Sequence, residues 1–378
     1  MKSRLIQTLL PIGVAVVLSM AIGSLVFLLI GTNPIDPARA ALTYLDSADS
    51  VVAVLNRSSW YYVSGLAAAI GFRMGLFNIG VDGQYRIAAL LTAALGAEVS
   101  LPAVLHVPFM FIVAMAIGGA FAAIAGVLKV KRGVNEVIST IMLNYVATGI
   151  IAYLLINYFW QRDASGRDLI PKTDLLPRSA WMPDLNALIA KFGLDLAPTV
   201  RVHGFLVVAA LAGIIFYVVV WRTRFGFDLR MSGLNPLAAR TSGVNPNAMI
   251  IRTMFISGAL GGVLAMGPLL SDGHVYGDQF PTQLGFTGIA VALLGRNHPA
   301  GIAFAAITWA SLERGSQALS SEGIPTETSR ILQGTLLLSA VITYELVNRR
   351  SLAAATRRAS ELTSNVLPPG TAQAKVTG

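Results

Sequence analysis

The sequence predicts an all-α fold, a polytopic transmembrane helical bundle of about ten segments. Three observations carry this. Hydrophobic residues make up 54% of the 378-residue chain and charged ones only 12%, against roughly 25% charge in a soluble domain. Mean hydropathy is +0.66, so too little polar surface exists to solvate a particle of this size. Apolar runs also recur at lengths near the ~20 residues that span a bilayer. Water-soluble enzymes, nucleic-acid binders and disordered chains fit this balance poorly.

Lys2 and Arg4 precede the first run, at residues 9–30. Ala38-Arg39-Ala40 resembles a signal-peptidase site, but the run exceeds the roughly 7–15 residues of a signal core and reads as a retained helix. The other runs lie near 58–72, 79–98, 104–128, 136–159, 202–221, 248–270, 284–295, 299–313 and 328–347. Those at 58–72 and 284–295 are short, and each reads either as a span or as a re-entrant segment. The net charge of +9 sits in clusters between runs. Lys129, Lys131 and Arg132 share one side with Arg222, Arg224, Arg230, Arg240 and the arginines from Arg349 onward. The opposite side holds Asp36, Asp46, Asp49, Asp272 and Asp278. The positive-inside bias therefore places both termini in the cytoplasm.

One transmembrane domain is expected over residues 1–350, followed by a disordered cytoplasmic tail at 351–378 rich in small and polar residues. Residues 160–201 form the one sizeable extramembrane insertion, placed outside, with a short helix at 184–192. It reads equally as a cap or as a connector.

Three stretches carry chemistry. In Phe72–Gln84, glycines at 75, 80 and 83 frame Asn78, Asp82 and Gln84 between two apolar runs. Glycine lets the backbone unwind, and a restarting helix offers free N–H groups to a polar ligand. A carboxylate at membrane depth is expensive and marks Asp82 as a candidate; a turn with Asp82 as N-cap explains it as well. Glu136, Ser139, Thr140, Asn144 and Thr148 line one side of a helix. They face either a pore or other helices, because lipid would leave them unpaired. Glu136 also suits a salt bridge with the neighbouring basic loop. In the basic stretch 223–245, Asn235 suits an N-cap, Pro236 the first helical position, and Gly243 the residue past the end. That predicts a helix of about two turns over 235–243.

Gly80-Val81-Asp82-Gly83 and Gly285-Phe286-Thr287-Gly288 open similarly, and each precedes an Ala-Leu-Leu. Paired glycine-broken segments point to an inverted repeat around a translocation site, although chance similarity explains them equally well. Small-residue ridges at 114–126 and Gly258-x-x-x-Gly262 predict close helix packing. Trp60, Tyr61 and Tyr62 suggest an interfacial belt. The chain has no cysteine, and its four histidines lack metal-ligand spacing. They read as structural or interfacial residues. No P-loop motif occurs. An ion-coupled carrier, with Asp82 or Glu136 as its ion site, remains a rival class.

Phe77–Gln84, Asn135–Tyr145 and Leu284–Arg296 together resemble permeases of the ABC importer family, in its branched-chain amino acid, ribose and nucleoside branch. Within that branch the closest likeness is to nucleoside and simple-sugar permeases, and it covers about residues 60–350. The resemblance implies a multi-pass subunit of a bacterial inner membrane that alternates access. It implies no catalytic residue and no cofactor. Implied partners are a separate ABC ATPase subunit, a second related permease, a substrate-binding lipoprotein or periplasmic protein, a small polar solute and the lipid bilayer. Nucleic acid is not among them. The implied substrate pathway involves Asn78, Asp82, Gln84, Glu136, Ser139, Thr140, Asn144 and Thr287. The segment at about 223–247 is similar to the family's ATPase-coupling segment, which implies that role for Arg230, Gly233, Asn235, Pro236, Ala238, Ala239 and Gly243. A nucleoside is the leading substrate, then a simple sugar, with a branched-chain amino acid as the alternative.

Overall fold

The computed structural model describes residues 46–160, 170–191 and 199–320, with side chains to 315, and scattered positions at 17–35, 193–197 and 333–338. The expected spans at 9–30 and 328–347, the 38–40 motif and the tail lie largely or wholly outside these residues. Among the described residues there are helices and two isolated β-bridges, and no strand.

Helix α1 (Ala48–Arg73) starts at Ser47, whose hydroxyl accepts from the Ser50 N–H at 3.1 Å. Its 26 residues reach about 39 Å at 1.5 Å per residue, so the 58–72 run belongs to a full-length helix and not to a re-entrant one. Its polar first half, with Asp49, Asn56 and Arg57, hid that length from the hydropathy pattern. Next come α2 (Val81–Glu98), α3 (Ala103–Arg132) and α4 (Glu136–Leu154), the last running on as a π turn at Leu155–Phe159. Gly133, at φ +67°, closes α3 after Lys129, Lys131 and Arg132, an arrangement of left-handed glycine and terminal cations that suits a helix end.

The 170–204 segment carries the short α5 (Asn186–Ala190), somewhat shorter than the predicted 184–192. Helices α6 (Phe205–Arg222), α7 (Arg224–Leu234), α8 (Pro236–Thr241) and α9 (Pro246–Pro268) follow, with a π turn at Leu269–Gly273. Helices α10 (Leu284–Leu294) and α11 (Pro299–Ser320) complete the described set. Four of these elements are long and apolar enough to cross a membrane: α3, α4 with its π turn, α6, and α9 with its π turn. Helix α10, at 11 residues, measures about 16 Å, roughly half a ~30 Å hydrocarbon core.

The predicted small-residue ridges are where backbones meet. A side chain on Gly258 would strike the Gly118 carbonyl, and one on Gly262 would strike the Ala114 carbonyl, so α9 lies directly on α3. The Trp60–Tyr62 belt is corrected: Trp60 and Tyr61 are buried, with Trp60 packed on Gly267 and Tyr62 on Gly213. Gaps left by glycines accept these rings inside the bundle instead of at a lipid interface.

The 170–204 segment is a folded cap. Its backbone pairs with the chain that follows α9: Thr173 N–H to Tyr276 O at 2.9 Å, Leu176 N–H to His274 O at 3.0 Å and Met182 N–H to Leu270 O at 2.8 Å. Asn56 of α1 clamps it through Arg201 O (2.7 Å) and the His203 N–H (3.0 Å). His106 Nδ1 lies 2.9 Å from Ser179 Oγ, and the His274 ring stacks on Trp181 at 3.8 Å. His106 and His274 thus pack against the 170–204 segment. The opposite end of the bundle carries Arg73, Lys129, Arg132 and α7–α8, and is called the basic end below.

Candidate functional site: two interrupted helices that meet at mid-depth

Helix α1 stops at Met74, and residues 75–80 are non-helical before α2 resumes at Val81. Gly75 takes φ +72°, a conformation that glycine adopts without strain. The Leu76 N–H reaches back to Gly71 O at 3.0 Å, and a side chain on Gly71 would lie 2.9 Å from Leu76 O. The interruption is therefore a compact loop tied to the end of α1.

Helix α10 starts just after Gln283, which is also left-handed at φ +65°. Ser64 Oγ donates to Leu284 O at 2.7 Å. Ser64 lies nine residues before the end of α1 at Arg73, so α10 begins about 14 Å from the basic end. A side chain on Gly285 would collide with the backbone of Val81 and Asp82. The first turns of α2 and α10 thus touch, near the middle of a ~30 Å membrane core.

Neither N-terminus is capped by its own preceding residue. Side chains from elsewhere meet the free N–H groups that helix starts present. Asp82 Oδ1 accepts from the Gly285 N–H at 3.4 Å, setting a carboxylate at the positive end of α10. Asn144 Oδ1 accepts from the Gly83 N–H at 2.9 Å, and Asn144 Nδ2 donates to Ile79 O at 3.0 Å. Thr140 Oγ1 accepts from the Ile79 N–H at 3.3 Å while donating to Glu136 O at 2.7 Å.

Asn78 and Gln84 are buried and pair reciprocally through their amides, both bonds measuring 2.9 Å. Asn78 Nδ2 also donates to Ser257 Oγ (2.8 Å), and Ser257 donates to Ala67 O (2.6 Å). Six of the predicted pathway residues therefore sit around the α2 interruption: Asn78, Asp82, Gln84, Thr140, Asn144 and, one turn below Thr140, Glu136. Glu136 forms an ion pair with Lys129 at 2.6 Å, at the shallow position that the basic loop suggested. Ser139 is turned back on its own helix, to Asn135 O at 2.7 Å. Thr287 is half-buried on α10 and donates to Gln283 O at 3.1 Å.

Sequence reading missed Ser257, Ser64 and Arg86. Arg86 lies 3.9 Å from Asp82 Oδ2, and its Nη1 donates to Thr148 Oγ1 at 3.3 Å. Only the i,i+4 spacing of Asp82 and Arg86 carried a signal. A lone serine before a small-residue ridge carries none.

At the basic end, the expected 235–243 helix is present as α8. Asn235 Oδ1 accepts from the Leu237 and Ala238 N–H groups at 3.0 and 3.1 Å, Pro236 takes the first position, and Gly243 ends the segment at φ +80°. Ala239 is fully buried, whereas Leu234 and Leu237 are 83% and 73% exposed. An Arg230 guanidinium N–H donates to Val220 O, tying α7 back onto α6.

The family described as "Branched-chain amino acid transport system / permease component" matches residues 50–341. The guanosine ABC transporter permease protein NupP of Bacillus subtilis is 32% identical over 92% of this chain and 96% of its own length. The nucleoside ABC transporter permease protein NupB of Lactococcus lactis is 29% identical, covering 91% and 93% of the two chains. The glucose ABC transporter permease protein TsgB13 of Haloferax volcanii is 30% identical, covering 88% and 87%. An all-helical bundle with membrane-length apolar helices, two interruptions meeting inside it and this span of similarity agree: the chain belongs to the permease family of branched-chain amino acid-type ABC transport systems and is a multi-pass membrane permease subunit.

Proposed function

We propose that this permease imports nucleosides, with simple sugars as the next class of substrate. The similarity to the guanosine and nucleoside permeases over more than nine-tenths of the chain carries this reading. The glucose relative favours the second class. Helix interruptions at mid-depth are where transporters bind substrate, and the groups gathered here suit a neutral, hydroxyl-rich solute. Asn78, Gln84 and Asn144 offer amide donors and acceptors, and Thr140 a hydroxyl. In the conformation described, Asn78 and Gln84 bond each other, so a solute reaching them exchanges those bonds for its own.

ATP is hydrolysed on a separate subunit that docks at 223–247, where Leu234 and Leu237 are exposed. A second related permease completes the pathway, and a binding lipoprotein or periplasmic protein delivers the solute to the cap side. Both termini lie in the cytoplasm, and 160–201 lies outside. The test is uptake by the reconstituted complex of labelled guanosine, glucose and leucine in parallel. ATP-dependent accumulation of guanosine ahead of the other two is expected. Accumulation of leucine alone, or uptake without ATP, would sink the reading. Orientation is checked with single cysteines, since the chain has none of its own. Exposed Leu188 should label from outside and Leu237 from inside.

A further inference from the structure

The docking segment touches the interrupted helix directly. Gly233, the second-last residue of α7, lies on the backbone of Met74, and a side chain there would come within 2.8 Å of the Met74 Cα and carbonyl carbon. From the other side, a side chain on Gly75 would find the Gly233 carbonyl at 3.8 Å. Met74 and Gly75 open the interruption, which continues to Asn78 and into the first turn of α2. The Leu76 N–H to Gly71 O bond ties the start of the loop to the last turn of α1, so Met74, Gly75 and Leu76 shift together.

The contacts around this point anchor the end of α1. The buried Thr253 hydroxyl of α9 meets the Met74 sulfur at 3.1 Å. The Arg73 side chain, one residue earlier, donates to Asn297 O at 2.8 and 3.1 Å and covers the Trp221 ring of α6 at 4.7 Å. The end of α1 is thereby held to α6, α9 and the α10–α11 turn, while the loop beyond it is held to the docking segment through Gly233. At its far end that loop runs into Asp82, which meets the start of α10 through Gly285.

We propose that the seat of Gly233 on Met74 and Gly75 is where movement of the ATPase-docking segment enters the membrane domain, and that the loop 74–80 carries it to the meeting point of α2 and α10. Gly233, Met74 and Gly75 are positioning residues: they touch no substrate and move the groups that do. This rests on the transport reading above. Close backbone contact is needed because a flexible side chain between the two segments would absorb the displacement, as close-packed groups do not.

The test has two arms in the reconstituted complex. Gly233→Ala inserts a methyl group into the seat. The expected result is native association with the ATPase subunit and at least a tenfold loss of uptake per ATP hydrolysed. Gly149→Ala, at a helical glycine with open space around it, is the control and should match the native protein. The second arm leaves the seat untouched. A single cysteine replaces Phe77, which is half-exposed within the loop. Its maleimide labelling rate should differ at least threefold between the nucleotide-free and the vanadate-trapped complex. Native uptake per ATP in Gly233→Ala, or an unchanged labelling rate at position 77, would overturn the proposal. Should Gly233→Ala fail to assemble, the labelling arm alone decides. If no ATPase subunit associates with the native permease, the transport reading fails, and the relay with it.

Discussion

The Asp82 carboxylate accepts the Gly285 N–H at 3.4 Å, joining two helix starts that lie 203 residues apart in the chain. The carboxylate does for α10 what an N-cap side chain does for an ordinary helix, but from a different helix. It is also held by Arg86 at 3.9 Å, so the charge is balanced by a cation and a helix terminus in a place where an unpaired carboxylate is expensive.

This crossing predicts a graded series. Asp82→Asn keeps an acceptor for the Gly285 N–H and should retain more uptake than Asp82→Ala, which leaves that group unpaired. Gly285→Ala has no room for its methyl group against the Val81–Asp82 backbone and should destabilise by about 1–3 kcal/mol. Thermal unfolding in detergent alongside uptake reads all three variants. Equal uptake for the two Asp82 variants would show that charge, and not hydrogen bonding, is what matters there.

Asn144 bonds both the Gly83 N–H and Ile79 O. Alanine there leaves two part-buried backbone groups without this partner, each at a penalty of up to about 1–3 kcal/mol. Asn144→Ala should therefore lower the melting temperature as well as apparent substrate affinity. Thr148→Ala, on the exposed side of the same stripe, should lower neither by a measurable amount. An Asn144→Ala protein with native melting and weakened uptake would instead assign the side chain to the solute alone.

The two sides of α8 separate docking from folding. Leu237 is exposed and Ala239 buried. Leu237→Asp should reduce co-purification of the ATPase subunit and leave the permease's own melting temperature unchanged. Ala239→Asp forces a charge into a packed contact and should reduce both. Retained ATPase association in Leu237→Asp would remove this face from the interface.

The cap is predicted to weaken on acidification. Burial lowers His203 and His274 below the ordinary imidazole value, and Arg201 adds to this, while Asp272 and Asp184 oppose it. The neutral imidazole is favoured in the fold, so just below pH 6.5 the unfolded state binds more protons. Stability contributed by these residues is present above that pH and is lost as pH falls toward the lower folded values. Melting should drop between pH 7.5 and 5.5, and the drop should shrink in a His203→Gln, His274→Gln double variant. An equal drop in native and variant proteins would clear both histidines.

The sequence by itself determined the solvent, the helical class and the local stops and starts. Composition dictates a bilayer protein whatever the packing. The cap at Asn235 is local chemistry, complete within a few residues, so the start of α8 was legible; Asn135 and Gly133 cap α4 and α3 in the same local way, but the apolar runs alone did not single them out. So were the residue types at the α2 interruption, because glycines 75, 80 and 83 change what the backbone can do at those positions. Tertiary structure alone decided the partners. Whether the Glu136–Thr148 stripe met water or another helix depends on what lies beside α4, and that is the start of α2. The full length of α1 was hidden because Asn56 and Arg57 look like loop residues until the cap and Glu313 supply their partners. The two Gly-rich starts looked like chance similarity or a repeat. Their contact through Asp82 and Gly285 comes from the packing of α1, α2 and α10, a relation between distant segments that no local pattern encodes.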